Sequence, residues 1–185
     1  SSSVCTPSRY TFLTGRFAGN SYSKRYIDEV GGKENQGLPN FNVSLERDNM
    51  NVGNVLREAG YTTGFVGKYH LTSKLDFPEF YKGKNGWIDI PKDASPSPET
   101  SDQFKHNERW MCRYLQTLGF SWAKNVYPEN IHSPYSSHNP EWTTVAALEF
   151  IEENKNGPFY LHLCSTLLHG PDKSWRKSMD HPLVT

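Results

Sequence analysis

The 185-residue chain has no net charge: its 20 lysines and arginines balance 20 aspartates and glutamates. That balance removes the usual electrostatic basis for binding nucleic acid or another polyanion. There is no uninterrupted run of about 18 apolar residues, so no segment is expected to span a membrane as a helix. No internal repeat is visible. Cysteine is scarce: Cys5, Cys112 and Cys164 are odd in number and lack C-x-x-C spacing. They form neither a disulfide framework nor a zinc knuckle. Hydrophobic residues make up only 35% of the chain, which predicts long polar loops around a modest core. Aromatic residues, at 14%, are well represented and argue against disorder. The length suits one domain, or at most two small ones, able to bury roughly two-thirds of its unfolded surface.

Neither end carries a recognisable processing signal. The chain opens on Ser1-Ser2-Ser3-Val4 with no basic n-region or apolar h-region, and closes on Pro182-Leu183-Val184-Thr185. It is expected to be a piece of a longer protein whose targeting cannot be read here.

Thr6 to Thr14 reads as a short helix, with Pro7 in the first turn and Gly15 after the end. Residues 16–48 are polar and rich in Gly and Asn, the composition of a long loop or lid. Residues 51–59 predict a helix with Val52, Val55, Leu56 and Ala59 on one face, ended by Gly60. Tyr61 to Val66 follows as a strand. Residues 71–101 and 128–140 are Pro-, Ser- and Asn-rich and read as irregular. Between them, residues 102–118 predict a helix packing through Trp110, Met111, Tyr114, Leu115 and Leu118. Glu141 to Glu153 reads as a helix with Val145, Leu148, Glu149 and Glu152 around an Ala146-Ala147 centre. Phe159 to Cys164 is nearly continuously apolar, as in a strand buried within a parallel sheet.

Helices alternating with strands predict an α/β fold: a mainly parallel central sheet sandwiched by helices, with the site at the C-terminal strand ends. In Cys5-Thr6-Pro7-Ser8-Arg9 a cysteine stands at a helix N-cap with a cation one turn in. Free N–H groups and the helix dipole favour an anion there and would lower a thiol pKa. A structural cysteine beside a surface arginine fits the composition equally well. In Gly60-Tyr61-Thr62-Thr63-Gly64-Phe65-Val66-Gly67-Lys68-Tyr69-His70, Lys68 and His70 follow a strand end and, two apart, point the same way if the backbone is extended. Gly67 allows close backbone approach. A lysine and an imidazole converging on an anion supply charge neutralisation and a titratable group. A solvated lysine and a packed histidine would fit an isolated K-x-H. The third string is Pro158-Phe159-Tyr160-Leu161 followed by His169-Gly170-Pro171.

Together these strings resemble the type I sulfatase family, part of the alkaline-phosphatase-like superfamily. Residues 3–15 are similar to its C-x-P-S-R signature with the following T-G. Residues 60–70 are similar to G-Y-x-T-x-x-x-G-K-x-H, and residues 158–171 more loosely to P-F-F-L with H-x-P. The resemblance covers a core of residues 1–70 and 140–171, truncated at both ends. It leaves 71–139 as a loop-rich, substrate-side insertion. It implies that a maturase oxidises Cys5 to Cα-formylglycine, whose hydrate is the nucleophile, and that residues 6–9 guide the maturase. Arg9 would hold the modified residue, and Lys68 would neutralise charge on the sulfuryl group. His70 would take a proton when sulfate is expelled, and His169 would protonate the leaving oxygen. A divalent metal, usually Ca2+, would touch the modified Cys5. The family's remaining metal ligands, an upstream Asp-Asp pair and downstream Asp with Asn or His, have no counterpart here. The isolated chain is therefore expected to bind calcium poorly, to be inactive and to be poorly soluble.

The implied substrate is a sulfated small molecule or glycan, and the implied compartment is periplasmic or extracellular. A phosphonate or phosphate ester hydrolase of the same superfamily, and a non-catalytic pseudo-enzyme, are the alternatives. The other histidines carry no ligand spacing: His132 and His138 read as solvated, His162 as a packed core residue, and His106 as part of a polar helix start. Asp172, Asn107 and Glu108 read as surface groups. Trp87, Trp110, Trp122, Trp142 and Trp175 read as packing anchors.

Overall fold

The computed structural model describes residues 4–35, 37–71, 86–91, 94–129 and 139–166. In chain order the elements are α1 (Cys5–Thr14), a 3-10 turn (Ala18–Asn20), α2 (Lys24–Val30), α3 (Val52–Glu58), β1 (Thr62–Lys68), α4 (Pro98–Thr117), β2 (Trp122–Tyr127), α5 (Asn139–Asn154) and β3 (Phe159–Cys164). Among the described residues the strands form one sheet in the order β2-β1-β3, parallel throughout. The expected α/β architecture is present, with β1 at the centre.

Side-chain alternation along β1 divides the core between the two faces of the sheet. Phe65 packs edge-on to Phe120, with centroids 5.1 Å apart, and belongs to the cluster of Tyr10, Leu13, Met111, Tyr114 and Leu115. Gly64 points the other way and lets α5 lie close: a Cβ there would sit 2.6 Å from the Phe150 ring. Helices thus cover both faces. The buried side of α5 is Thr143, Ala146, Ala147 and Phe150, a helical i, i+3, i+4, i+7 face. The expected Ala146-Ala147 centre is buried, but the residues expected to flank it are not: Val145 and Leu148 are 62% and 61% exposed. The face of α3 also differs: Val55 is half exposed, and Gly53 is buried against Phe120.

Residues 98–127, expected within a loop-rich insertion, carry α4 and β2. Ser97 caps α4 by accepting from the Thr100 N–H at 3.0 Å. Its anticipated apolar face is buried, whereas the helix starts at Pro98, before the hydrophobic pattern begins. β2 leaves little trace in the sequence because it is short and contains Lys124 and Asn125, which are poor strand formers. Asn107 and Glu108 are not plain surface groups. Asn107 is buried and exchanges hydrogen bonds with the Ile88 backbone, donating to its carbonyl at 2.8 Å and accepting from its N–H at 2.9 Å. Glu108 accepts from the Asn125 N–H at 2.8 Å. β3 is less buried than a central strand, with Leu163 46% exposed.

The 16–48 segment is not a free lid. The Glu46 carboxylate, 8% exposed, accepts from Tyr10 Oη, Ser21 Oγ, the Tyr22 and Ser23 N–H groups and Asn49 Nδ2. One buried anion thereby ties α1, the start of α2 and the approach to α3 together. Glu46→Ala strands these donors and is expected to cost about 3–5 kcal/mol, read as a lower thermal midpoint, while Glu46→Gln restores part of the loss.

Candidate active site

Cys5 is the first residue of α1; Val4 occupies the N-cap position with extended backbone (φ −94°, ψ 137°). The cysteine therefore lies one position inside the helix compared with the sequence expectation. Its thiol meets two partners from the far end of β1. Cys5 Sγ lies 3.1 Å from His70 Nδ1, and Lys68 Nζ lies 3.8 Å from the same sulfur. Arg9, one turn along α1, donates from a guanidinium NH2 group to the Lys68 carbonyl at 2.7 Å. Four of the five predicted site residues are thus brought together. His169 lies outside the described residues, as do His132, His138, Asp172 and Trp175.

The convergence does not arise as a flat strand would produce it. The β1–β2 register slips between Val66 and Gly67, passing over Asn125, a β-bulge. Asn125 takes a left-handed conformation (φ 53°), held by Glu108 and by its own Nδ2 donating to the Trp142 carbonyl at 2.6 Å. Opposite it, Gly67 has φ 91°, and a Cβ there would come within 2.4 Å of the Cys164 carbonyl oxygen. Only glycine fits that close approach. Beyond the bulge, the Tyr69 and His70 N–H groups donate to the Tyr127 and Pro128 carbonyls at 2.8 and 2.7 Å. His70 itself has φ 52°. Lys68 and His70 therefore share a target through a bulge and a left-handed turn, not through simple extension. An asparagine inside a short strand was the available signal for the bulge, but a single sequence does not identify its partner.

The electrostatics are those of a cationic cluster around Cys5. Lys68 is fully buried. Burial holds its amine below the ordinary lysine value, and the Arg9 charge adds to that, while Cys5 and Glu129 act in the opposite direction. Arg9 Nε is buried and has no hydrogen-bond partner among the described residues, which leaves a donor for a small anion or a water. Cys164, at the end of β3, faces Arg9; burial raises its thiol pKa and Arg9 partly offsets this. Cys112 is pushed up to about 12 by burial. At both thiols burial outweighs any neighbouring cation, which disfavours the reactive thiolate.

Calcium takes six to eight oxygen ligands. The side chains meeting at Cys5 instead offer nitrogen and positive charge. Among the described residues, no three or more His, Cys, Asp or Glu residues gather around a common point. The described residues do not by themselves fit a calcium ion.

His162 is a packed residue, as expected from its place in the strand. Its ring lies among Phe12, Phe65 and Phe120, and Nδ1 is 2.9 Å from Tyr160 Oη. Burial, followed by the Arg9 charge, lowers its pKa to about 4 from 6.5. Between those values the unfolded chain binds the proton and the folded chain does not, so stability rises with pH across that window. Acidification from 6.5 to 4 is expected to remove on the order of 2–3 kcal/mol through this residue. A His162→Phe variant should show a flatter acid limb in chemical denaturation against pH.

A family model described as Sulfatase matches residues 1–179. The chain is similar to an arylsulfatase of Hemicentrotus pulcherrimus, 27% identical over 178 residues, covering 90% of this chain and 29% of that protein. It is similar to arylsulfatase G of Homo sapiens, 31% identical over 91 residues, covering 48% of this chain and 15% of that protein. It is also similar to a steryl-sulfatase of Rattus norvegicus, 38% identical over 71 residues, covering 37% of this chain and 11% of that protein. The chain thus spans well under two-thirds of the length of these relatives. Among the described residues no helix is long and apolar enough to cross a membrane.

Proposed function

Because this chain belongs to the sulfatase family, we propose that it carries the nucleophile side of a sulfuric ester hydrolase site, with Cys5 as the precursor of the attacking group. The observation that carries the proposal is the meeting of Lys68 Nζ and His70 Nδ1 on Cys5 Sγ. Formylglycine at this position, made by a formylglycine-generating maturase, would supply an aldehyde hydrate with one oxygen to attack sulfur and a second to expel sulfate. The site suits such a group, because polar nitrogens already lie within contact of the side-chain end atom.

The chain's own residues then divide the work. Lys68 faces the developing charge on the sulfuryl oxygens from a buried position, where a cation acts more strongly than in water. Arg9 braces the Lys68 carbonyl from α1 and keeps a buried Nε without a hydrogen-bond partner among the described residues. His70 Nδ1 is placed to receive a proton from the group at residue 5. His169 is proposed as donor to the leaving oxygen. A divalent metal such as Ca2+ would require oxygen ligands from elsewhere in the complete enzyme. The substrate proposed is the sulfate ester of a small molecule or glycan, and the compartment periplasmic or extracellular.

Hydrolysis of a sulfate monoester and a phosphate diester by the full-length enzyme, coproduced with its maturase, tests the proposal. Preference for the sulfate ester is expected. Preference for the phosphate diester would assign the site to the phosphoester hydrolases of the superfamily, and turnover of neither would favour a scaffold without chemistry.

A further inference from the structure

Phe41 stands beside the proposed site in a way that packing does not explain. Its ring centroid is 5.4 Å from that of His70, with the planes inclined at 34°, yet the residue is 53% exposed. A singly exposed phenylalanine is ordinary. This one is held on a fixed strip. Arg25 donates to the Phe41 carbonyl at 3.1 Å while pairing with Glu29 through Nε at 2.9 Å. Glu29 also accepts from Asn42 Nδ2 at 2.7 Å, and Asn42 Oδ1 accepts from the Asn40 N–H at 2.8 Å. Beyond it, Val43 and Leu45 are buried, and the Leu45 N–H donates to the Leu71 carbonyl at 3.0 Å, next to His70. The backbone on both sides is fastened, and the apolar ring is left outward.

The His70 ring thus has Cys5 at Nδ1 and Phe41 against its face. Phe41 is therefore one side chain removed from residue 5, and a leaving group that turns to the His70 side of a sulfuryl group held there meets this ring. We infer that Phe41 is a specificity-determining residue that receives the leaving-group ring of the sulfate ester, an inference that rests on the sulfatase reading. A flat ligand ring, aryl or the C–H face of a sugar, stacks on it with little conformational entropy lost. A flexible chain loses rotamer freedom to make the same contact.

The test uses the full-length matured enzyme with three esters: phenyl sulfate, a pyranose 6-sulfate and a short-chain alkyl sulfate. Because Phe41 is half exposed, its substitution leaves the core intact. Phe41→Ala and Phe41→Leu are expected to lower the ratio of ring-ester to alkyl-ester kcat/KM by about two- to twelvefold, while Phe41→Trp keeps it. The ring ester with the larger loss identifies whether an aryl or a sugar ring is received. Equal losses on all three esters, with a shifted pH–rate profile, would show support of His70 alone and overturn the inference. Unchanged ratios would overturn it too. A parent enzyme that hydrolyses none of the esters would remove the sulfatase reading, and this inference with it.

Discussion

Replacing Cys5 with alanine in the full-length matured enzyme is expected to reduce the proposed sulfate ester turnover by roughly 10^4–10^6-fold, the scale seen when a covalent nucleophile is removed. The fold should barely register the change. Cys5 occupies the first helical position, where alanine is a good helix former, and among the described residues its side-chain hydrogen bonds run to Lys68 and His70. The thermal midpoint of Cys5→Ala should therefore match that of the parent. Retention of activity within tenfold would place the nucleophile elsewhere.

Lys68→Met is expected to separate activity from stability. Lys68 is a fully buried amine facing a thiol and an arginine, with its charged form disfavoured by burial. Methionine of similar length removes the need to desolvate a charge, so stability should stay level or rise by about 1–3 kcal/mol. Turnover should fall by roughly 10^2–10^3, the cost of losing one preorganised charge at the reacting group. The pH dependence provides a second check. The folded value lies below the ordinary 10.5, so in that interval the unfolded chain holds the proton more tightly and stability rises with pH. Denaturation curves of Lys68→Met should lack that rise. Loss of stability together with activity would mean that the lysine is chiefly a structural bolt.

Much of this arrangement is legible from residue order, because it depends on local signals. Pro7 and Gly15 bracket α1, and the apolar stripe from Trp110 to Leu118 marks α4. The two motifs carrying Cys5, Arg9, Lys68 and His70 are contiguous strings. What was not legible is what long-range contacts decide. Val145 and Leu148 look like a core face until Gly64 and Phe150 set the side on which α5 sits. Residues 16–48 look like a lid because their chief fastening, Glu46, draws four of its five donors from positions 23 or more residues away. Lys68 and His70 were expected to converge through strand alternation. They converge through a bulge at Asn125, whose glycine partner is on another strand and whose clamp, Glu108, is on a helix.

The chemical state of residue 5 decides the account more directly than any rate. Full-length protein coproduced with a formylglycine-generating maturase can be treated with a hydrazide that captures aldehydes, then digested and mapped by mass spectrometry. A captured aldehyde is expected on the peptide carrying residue 5, with unmodified thiols at Cys112 and Cys164. An intact thiol at residue 5 under those conditions would contradict the account.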